Sequence, residues 1–223
     1  MIALFHTGGF IMKNKKNLYL SLTMLAAFAF WTFFVSAADV QPIGPNGSAV
    51  GLAHINGWFH NLTGVHLSLY HITDWLGLVP VAFGFGFAVL GLIQWIHRKH
   101  ILKVDRSILV LGLYYILVLA AYLLFEEFVI NYRPVLIAGY LEASYPSSTT
   151  LLVLCVMPTS LMQLNTRIKN KNLRLCTAWA IRTFIAFMVL GRLLSGVHWL
   201  TDIVGGILLS AGIVKMYQFA GRL

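Results

Sequence analysis

Six long apolar stretches limit what this chain can fold into more than any other feature of it. A hydrocarbon layer asks for ~20 apolar residues per crossing helix. Stretches of that order run near residues 17–37, 73–96, 107–125, 149–164, 178–195 and 200–219. With 59% hydrophobic and only 10% charged residues in 223, the composition exceeds what a soluble core needs. The expected class is an all-α membrane protein, a six-transmembrane-helix bundle forming one domain over residues 1–223, with residues 1–16 as a cytoplasmic N-terminal segment. Lys13 to Lys16 before the first stretch and Ser36, Ala37 and Ala38 after it share a pattern with cleavable signal peptides. The run is longer than the ~7–15 apolar residues of such segments, so a retained helix is expected. A start at Met12 would make residues 1–11 an unstructured extension.

The net charge of +9 raises the question of nucleic acid, and the positions of the charges answer it. With the N-terminus inside, Lys13, Lys15 and Lys16, then Arg98, Lys99, Lys103 and Arg106, then Arg167, Lys169, Lys171 and Arg174 all fall on the cytoplasmic side. Arg182, Lys215 and Arg222 are expected at inner helix ends. The charge therefore follows membrane topology and contact with anionic head groups, and no nucleic-acid partner is expected. Arg133 and Arg192 are the only basic residues assigned to the outer side, where six of the seven acids also fall, all but Asp105. Two arginines that break the positive-inside pattern need a reason.

The outer loop 38–72 opens on turn-forming Pro42, Gly44, Pro45, Asn46 and Gly47. Trp58, Phe59, Leu62, Val65, Leu69 and Tyr70 then recur at roughly helical spacing among His54, His60, His66 and His71, which predicts an amphipathic helix lying in the membrane interface. These histidines form no recognisable ligand pair with a nearby Cys, Asp or Glu, so a packing role is expected and no metal. Cys155 and Cys176 lie in or beside predicted spans, which argues against a disulfide framework. No cofactor is implied.

Three short elements converge on the outer face: Arg133-Pro134, then Pro146-Ser147-Ser148-Thr149 opening the fourth span, then Arg192 through Asp202 between the fifth and sixth. A phosphate needs what they offer. Guanidinium forks give charge-assisted bidentate bonds, and hydroxyls with free N–H groups at a helix start complete the cradle. His198 and Asp202 stand four residues apart on one helical face, so the carboxylate can accept from one ring nitrogen and leave the other as nucleophile or base. The bland alternative is that the arginines snorkel to the interface and the serines only cap a helix.

These residues resemble the type 2 phosphatidic acid phosphatase superfamily, whose signature is K-x6-R-P, P-S-G-H and S-R-x5-H-x3-D. Arg133-Pro134 ends the first part, Pro146-Ser147 begins the second, and Arg192, His198 and Asp202 fit the third. The resemblance implies that His198 attacks phosphorus to give a phosphohistidine and that Asp202 orients it. It also implies that Arg133, Arg192, Ser147 and the neighbouring Ser148 and Thr149 hold the phosphoryl oxygens without a metal. It further implies a lipid phosphate or diphosphate as substrate, and a bacterial cytoplasmic membrane with the site facing outward and both termini inside.

Glu126 stands where the family has lysine, Ser148 where it has glycine, Thr149 where it has the histidine that protonates the leaving oxygen, and Gly191 where it has serine. A carboxylate at 126 opposes an anion, and a threonine hydroxyl is far too weak an acid for the missing histidine. One consequence is a preference for lipid diphosphates such as a polyprenyl (undecaprenyl) diphosphate, whose departing phosphate needs little protonation. Another is a substitute acid, with His54, His60, His66 and His71 as candidates. The alternatives to hydrolysis are a lipid head-group phosphotransferase and a non-catalytic protein that binds or translocates a lipid phosphate.

Overall fold

The structure, a computed structural model, describes residues 2–221, with side-chain surroundings given for 15–221. Its eight α-helices among the described residues are α1 (Ile2–Ala37), α2 (Ala53–Thr63), α3 (Leu67–Leu76), α4 (Leu78–Arg98), α5 (Arg106–Glu127), α6 (Ser148–Arg167), α7 (Lys171–Leu194) and α8 (Leu200–Ala220). Residues 2–11, expected to be an unstructured extension if the chain started at Met12, are helical and belong to α1. Five segments are long and apolar enough to cross a membrane: Lys15–Ala37, Leu67–Arg98, Arg106–Glu127, Lys171–Leu194 and Leu200–Ala220.

The fourth expected span, α6, is not among those five, and its packing explains why. It is the inner helix of the bundle, touching α4, α5, α7 and α8. Thr150, Thr159, Ser160 and Gln163 are all buried along it. Their polar groups are satisfied inside protein: Thr159 Oγ1 donates to the Cys155 carbonyl (2.8 Å), and Gln163 Nε2 donates to the Tyr217 hydroxyl (2.6 Å). A helix shielded from lipid by its neighbours can carry polar side chains that a lipid-facing one cannot.

The amphipathic stretch is two helices rather than one. Gly64 adopts φ +68° and ends α2, and the chain restarts as α3, which runs through Gly77 into α4. Basic residues gather at one end of the bundle, at the close of α4 (Arg98), the start of α5 (Arg106), the close of α6 (Arg167) and the start of α7 (Lys171). Arg182 departs from the expected helix-end position. α7 begins at Lys171 rather than near 178, so Arg182 falls half way along it, with its guanidinium 5.8 Å from the Trp179 ring centroid. Arg222 lies outside the described residues.

The opposite end is fixed by a few close approaches. α1 packs along α8, where Ser21 donates to the Gly212 carbonyl (2.8 Å) and Trp31 Nε1 to that of Thr201 (3.2 Å). The loop between α5 and α6 folds as a hairpin, pairing Tyr132 with Ala143 and Ile137 with Tyr140. The turn between α7 and α8 lies against the turn between α2 and α3: the His66 N–H donates to the Ser195 carbonyl (2.9 Å). Gly196 there has φ +68°, and a Cβ on it would sit 2.0 Å from the Gly64 carbonyl oxygen.

Gly196→Ala should therefore destabilise the protein by at least ~1–3 kcal/mol, since it combines left-handed strain with a backbone collision. A thermal scan in detergent should show a lowered Tm. Gly86→Ala, at a position where a Cβ meets nothing within 4 Å, should leave Tm unchanged or slightly raised.

Candidate active site

The three motif elements meet at this end of the bundle through backbone contacts as well as side chains. The Ser147 N–H, at the N-cap of α6, donates to the carbonyl of Asp202 in the first turn of α8 (3.1 Å). Asp202 Oδ2 accepts from the Trp199 N–H (2.8 Å), which caps α8. In the hairpin, the Arg133 N–H donates to the Glu142 carbonyl (3.0 Å) and the Ser144 N–H to that of Asn131 (2.9 Å), and Trp199 Nε1 donates to the Tyr132 carbonyl (2.7 Å). Sequence positions 131–149 and 192–202 are thus held as one body.

His198 and Asp202 are buried, at 3% and 0% exposure, but they do not bond directly as their spacing suggests. Their nearest approach, Nδ1 to Oδ2, is 3.7 Å. Ser144 stands between them: its Oγ lies 3.0 Å from His198 Nδ1 and donates to Asp202 Oδ2. With the hydroxyl proton given to the carboxylate, the Ser144 oxygen is left to accept from Nδ1–H, and that tautomer puts the lone pair on Nε2. Nε2 is buried and has no partner. Burial first, then the positive charges of Arg133 and Arg192, hold the ring well below the usual histidine pKa and keep it neutral.

Both arginines converge on one aromatic ring. The guanidinium carbons of Arg192 and Arg133 lie 4.9 and 5.8 Å from the centroid of Tyr70, a buried residue of α3. Arg192, 1% exposed, directs Nη2 to Thr149 Oγ1 (2.6 Å) and Asp74 Oδ1 (3.2 Å), and Nη1 to Thr73 Oγ1 and the Tyr70 carbonyl (3.4 and 3.5 Å). Arg133 Nε lies 3.1 Å from Glu142 Oε2 without hydrogen-bond alignment. Arg133 Nε and Nη1 and Arg192 Nε join His198 Nε2 as buried nitrogens without a partner. Buried polar groups are normally satisfied. Three guanidinium nitrogens and one ring lone pair left over in one place suit an anion whose central atom is electrophilic.

The second motif is split in its exposure. Ser147 is fully buried, its Oγ accepting from Thr150 Oγ1 (3.0 Å), whereas Ser148 and Thr149 are half-buried in the first turn of α6. The N–H groups of that turn have no helical acceptor and add a positive helix end. Glu126 does not stand between the arginines. It is exposed at the end of α5, lining a small hollow with Ser144, Tyr145, Pro146 and Ser148, and no described hydrogen bond or ion pair joins it to Arg133 or Arg192.

None of the four loop histidines offers itself as an acid either. His54 pairs with Asp39 (2.8 Å), His66 Nε2 contacts the Thr63 carbonyl (2.9 Å), His60 packs on the Trp199 ring (5.4 Å between centroids) and His71 on that of Tyr70 (5.1 Å). No described hydrogen bond or ion pair joins any of them to Arg133, Arg192 or His198. Sequence reasoning missed Ser144, Tyr70 and Asp74. For Asp74 there was a signal, a lone acid at the edge of an apolar run.

From the site an apolar groove of about 960 Å³ runs between α4 and α5 over α6. Asp74, Ser148 and Thr149 edge its upper end, Gly84 and Tyr115 line its middle, and Gly91 and Ile108 its far end.

The model of the PAP2 superfamily matches residues 21–222. Among solved structures, the fold is similar to one described as the first transmembrane PAP2 type phosphatidylglycerolphosphate phosphatase, from Bacillus subtilis. The likeness covers 90% of this chain and 94% of that one at 15% identity, with a TM-score of 0.55. A search of curated proteins returns no significant match. The match runs unbroken from α1 to the end of α8 and takes in every element that meets at His198, so the chain belongs to the PAP2 superfamily.

Proposed function

We propose that this protein is a membrane phosphatase that hydrolyses a lipid phosphate or diphosphate through a phosphohistidine on His198, at the outward end of a six-span, single-domain bundle in a bacterial cytoplasmic membrane. In this topology α6 also crosses the membrane, as the fourth span in chain order, both termini are cytoplasmic, and α2 lies in the interface. The observation that carries the proposal is the set of unpartnered nitrogens of Arg133, Arg192 and His198 at the mouth of an apolar groove. An anion fits the first, and a lipid tail fits the second.

Arg133, Arg192 and the first-turn N–H groups at Ser148 and Thr149 hold the phosphoryl oxygens, with Ser147 fixing the start of α6. The neutral His198 Nε2 attacks phosphorus, and charge developing on the oxygens is met by donors already oriented and dehydrated. Asp202 acts on His198 through Ser144, which fixes the ring's tautomer and aim. Glu126 takes no phosphate contact. A polyprenyl diphosphate is the favoured substrate because Thr149 is no acid, and a departing phosphate tolerates that better than a departing alkoxide.

Histidine ring ¹⁵N NMR in detergent, with His198 assigned by difference from His198→Gln, tests the nucleophile. Both burial and the arginines penalise the imidazolium, so the ring should stay neutral with Nδ1 protonated as pH falls through 7, and gain a proton only below the ordinary value of about 6.5. A midpoint at or above that value would contradict the assignment.

Quenching in alkaline SDS, which spares the acid-labile N–P bond, after incubation with ³²P-labelled substrate should trap a phosphoenzyme in wild type and none in His198→Ala. Ser144→Ala should keep lipid binding and lose up to about 100-fold in kcat, the scale of a misplaced reacting group. Lipid binding without turnover in either wild type or His198→Ala would favour a binding protein instead. Phosphate release should be faster from a polyprenyl diphosphate than from phosphatidic acid, and equal rates would refute the substrate preference.

A further inference from the structure

We infer that Asp74 of α3 is the catalytic acid and base of this site, giving a proton to the lipid oxygen as it leaves and taking one from the water that follows. The inference rests on the phosphatase reading above and supplies the group that the Pro146–Thr149 segment lacks. Its basis is one shared nitrogen. Arg192 Nη2 donates to Thr149 Oγ1 at 2.6 Å and to Asp74 Oδ1 at 3.2 Å, so the two oxygens are held on either side of a single N–H-bearing atom. Thr149 occupies the place where the superfamily carries its proton-donating histidine. Asp74 reaches the same place from another helix.

The second observation is the direction of the groove. Asp74, Ser148 and Thr149 edge the end of it that opens at the arginines. A lipid with its tail between α4 and α5 and its phosphorus over His198 Nε2 must pass its bridging oxygen through that opening. The leaving oxygen therefore emerges beside Asp74. The carboxyl is 54% exposed as a side chain, unlike buried Asp202, so it can exchange protons with water.

Other acids lack one or both of these relations. Glu142 lies beside Arg133, Glu126 lines the small hollow that includes Ser144, and neither is among the residues lining the groove. Tyr122 lines the groove, but a phenol is a far weaker acid than a carboxyl group.

The steps then balance. The Nε2 lone pair forms the N–P bond as the P–O bond to the lipid breaks, and the electron pair left on that oxygen takes the Asp74 proton. Water next forms a P–O bond, its proton passes to the Asp74 carboxylate, and the N–P electrons return to His198. A diphosphate, with its better leaving group, depends on the first proton transfer less than a monophosphate does, so Asp74 narrows the preference for diphosphates without removing it.

The test compares kcat/KM, which reports the steps up to lipid departure, for full-length wild type, Asp74→Asn and Asp74→Glu in detergent. The substrates are phosphatidic acid and a polyprenyl diphosphate. The asparagine oxygen can still accept from Arg192, and retained diphosphate turnover shows that the variant is folded. Asp74→Asn should lose about 100-fold or more on phosphatidic acid, the scale of general acid catalysis, and less than about tenfold on the diphosphate. Asp74→Glu should recover part of the loss. Equal losses on both substrates would assign Asp74 a positioning role through Arg192 and overturn the inference, as would no loss on either. Phosphate release by no form of the protein, with lipid binding intact, would instead overturn the phosphatase reading and this inference with it.

Discussion

Asp202 is the residue on which this end of the molecule depends. Its backbone carbonyl holds the N-cap of α6, one carboxylate oxygen holds the N-cap of α8, and the same oxygen accepts the Ser144 hydroxyl from the hairpin. A fully buried carboxylate is costly without such donors, so the donors must be in place for the chain to fold there. Orientation of His198 follows from the same bonds. Helix capping and the orientation of His198 are one network, and neither can be removed without disturbing the other.

The arginines pose the opposite problem. Arg192 and Arg133 both approach the Tyr70 ring, 4.9 and 5.8 Å from its centroid, and each positive charge disfavours protonation of His198. Cation–π contact and the carboxylates of Asp74 and Glu142 offset that repulsion only in part, since three guanidinium nitrogens keep no acceptor. An anion between them would satisfy those groups together. This is a site whose stability and ligand affinity draw on the same unmet interactions, as preorganised electrostatic sites do.

Much of the arrangement was legible in the chain. Long apolar runs announced the crossing helices, and the spacing Arg192–His198–Asp202 together with two basic residues out of topological place announced which residues gather at one end of the bundle. α6 was legible as a helix but not as the polar centre of the bundle, because a hydropathy pattern records composition and not which neighbours shield it. The split of the amphipathic stretch at Gly64 was hidden for a similar reason: the break accommodates the close approach of Gly196, 132 residues further on.

By itself the sequence determined the membrane class and singled out His198, Asp202 and the two arginines as one cluster, since each rests on residue type and short spacing. Only the tertiary structure decided that Ser144 stands between His198 and Asp202, that Glu126 lines a small hollow with Ser144 and Ser148, and that Asp74 shares Arg192 with Thr149. The physical reason is range. Helical periodicity relates residues three and four apart, whereas these contacts join side chains more than forty residues apart, and only packing of α3, α6, α7 and the hairpin brings them within a hydrogen bond.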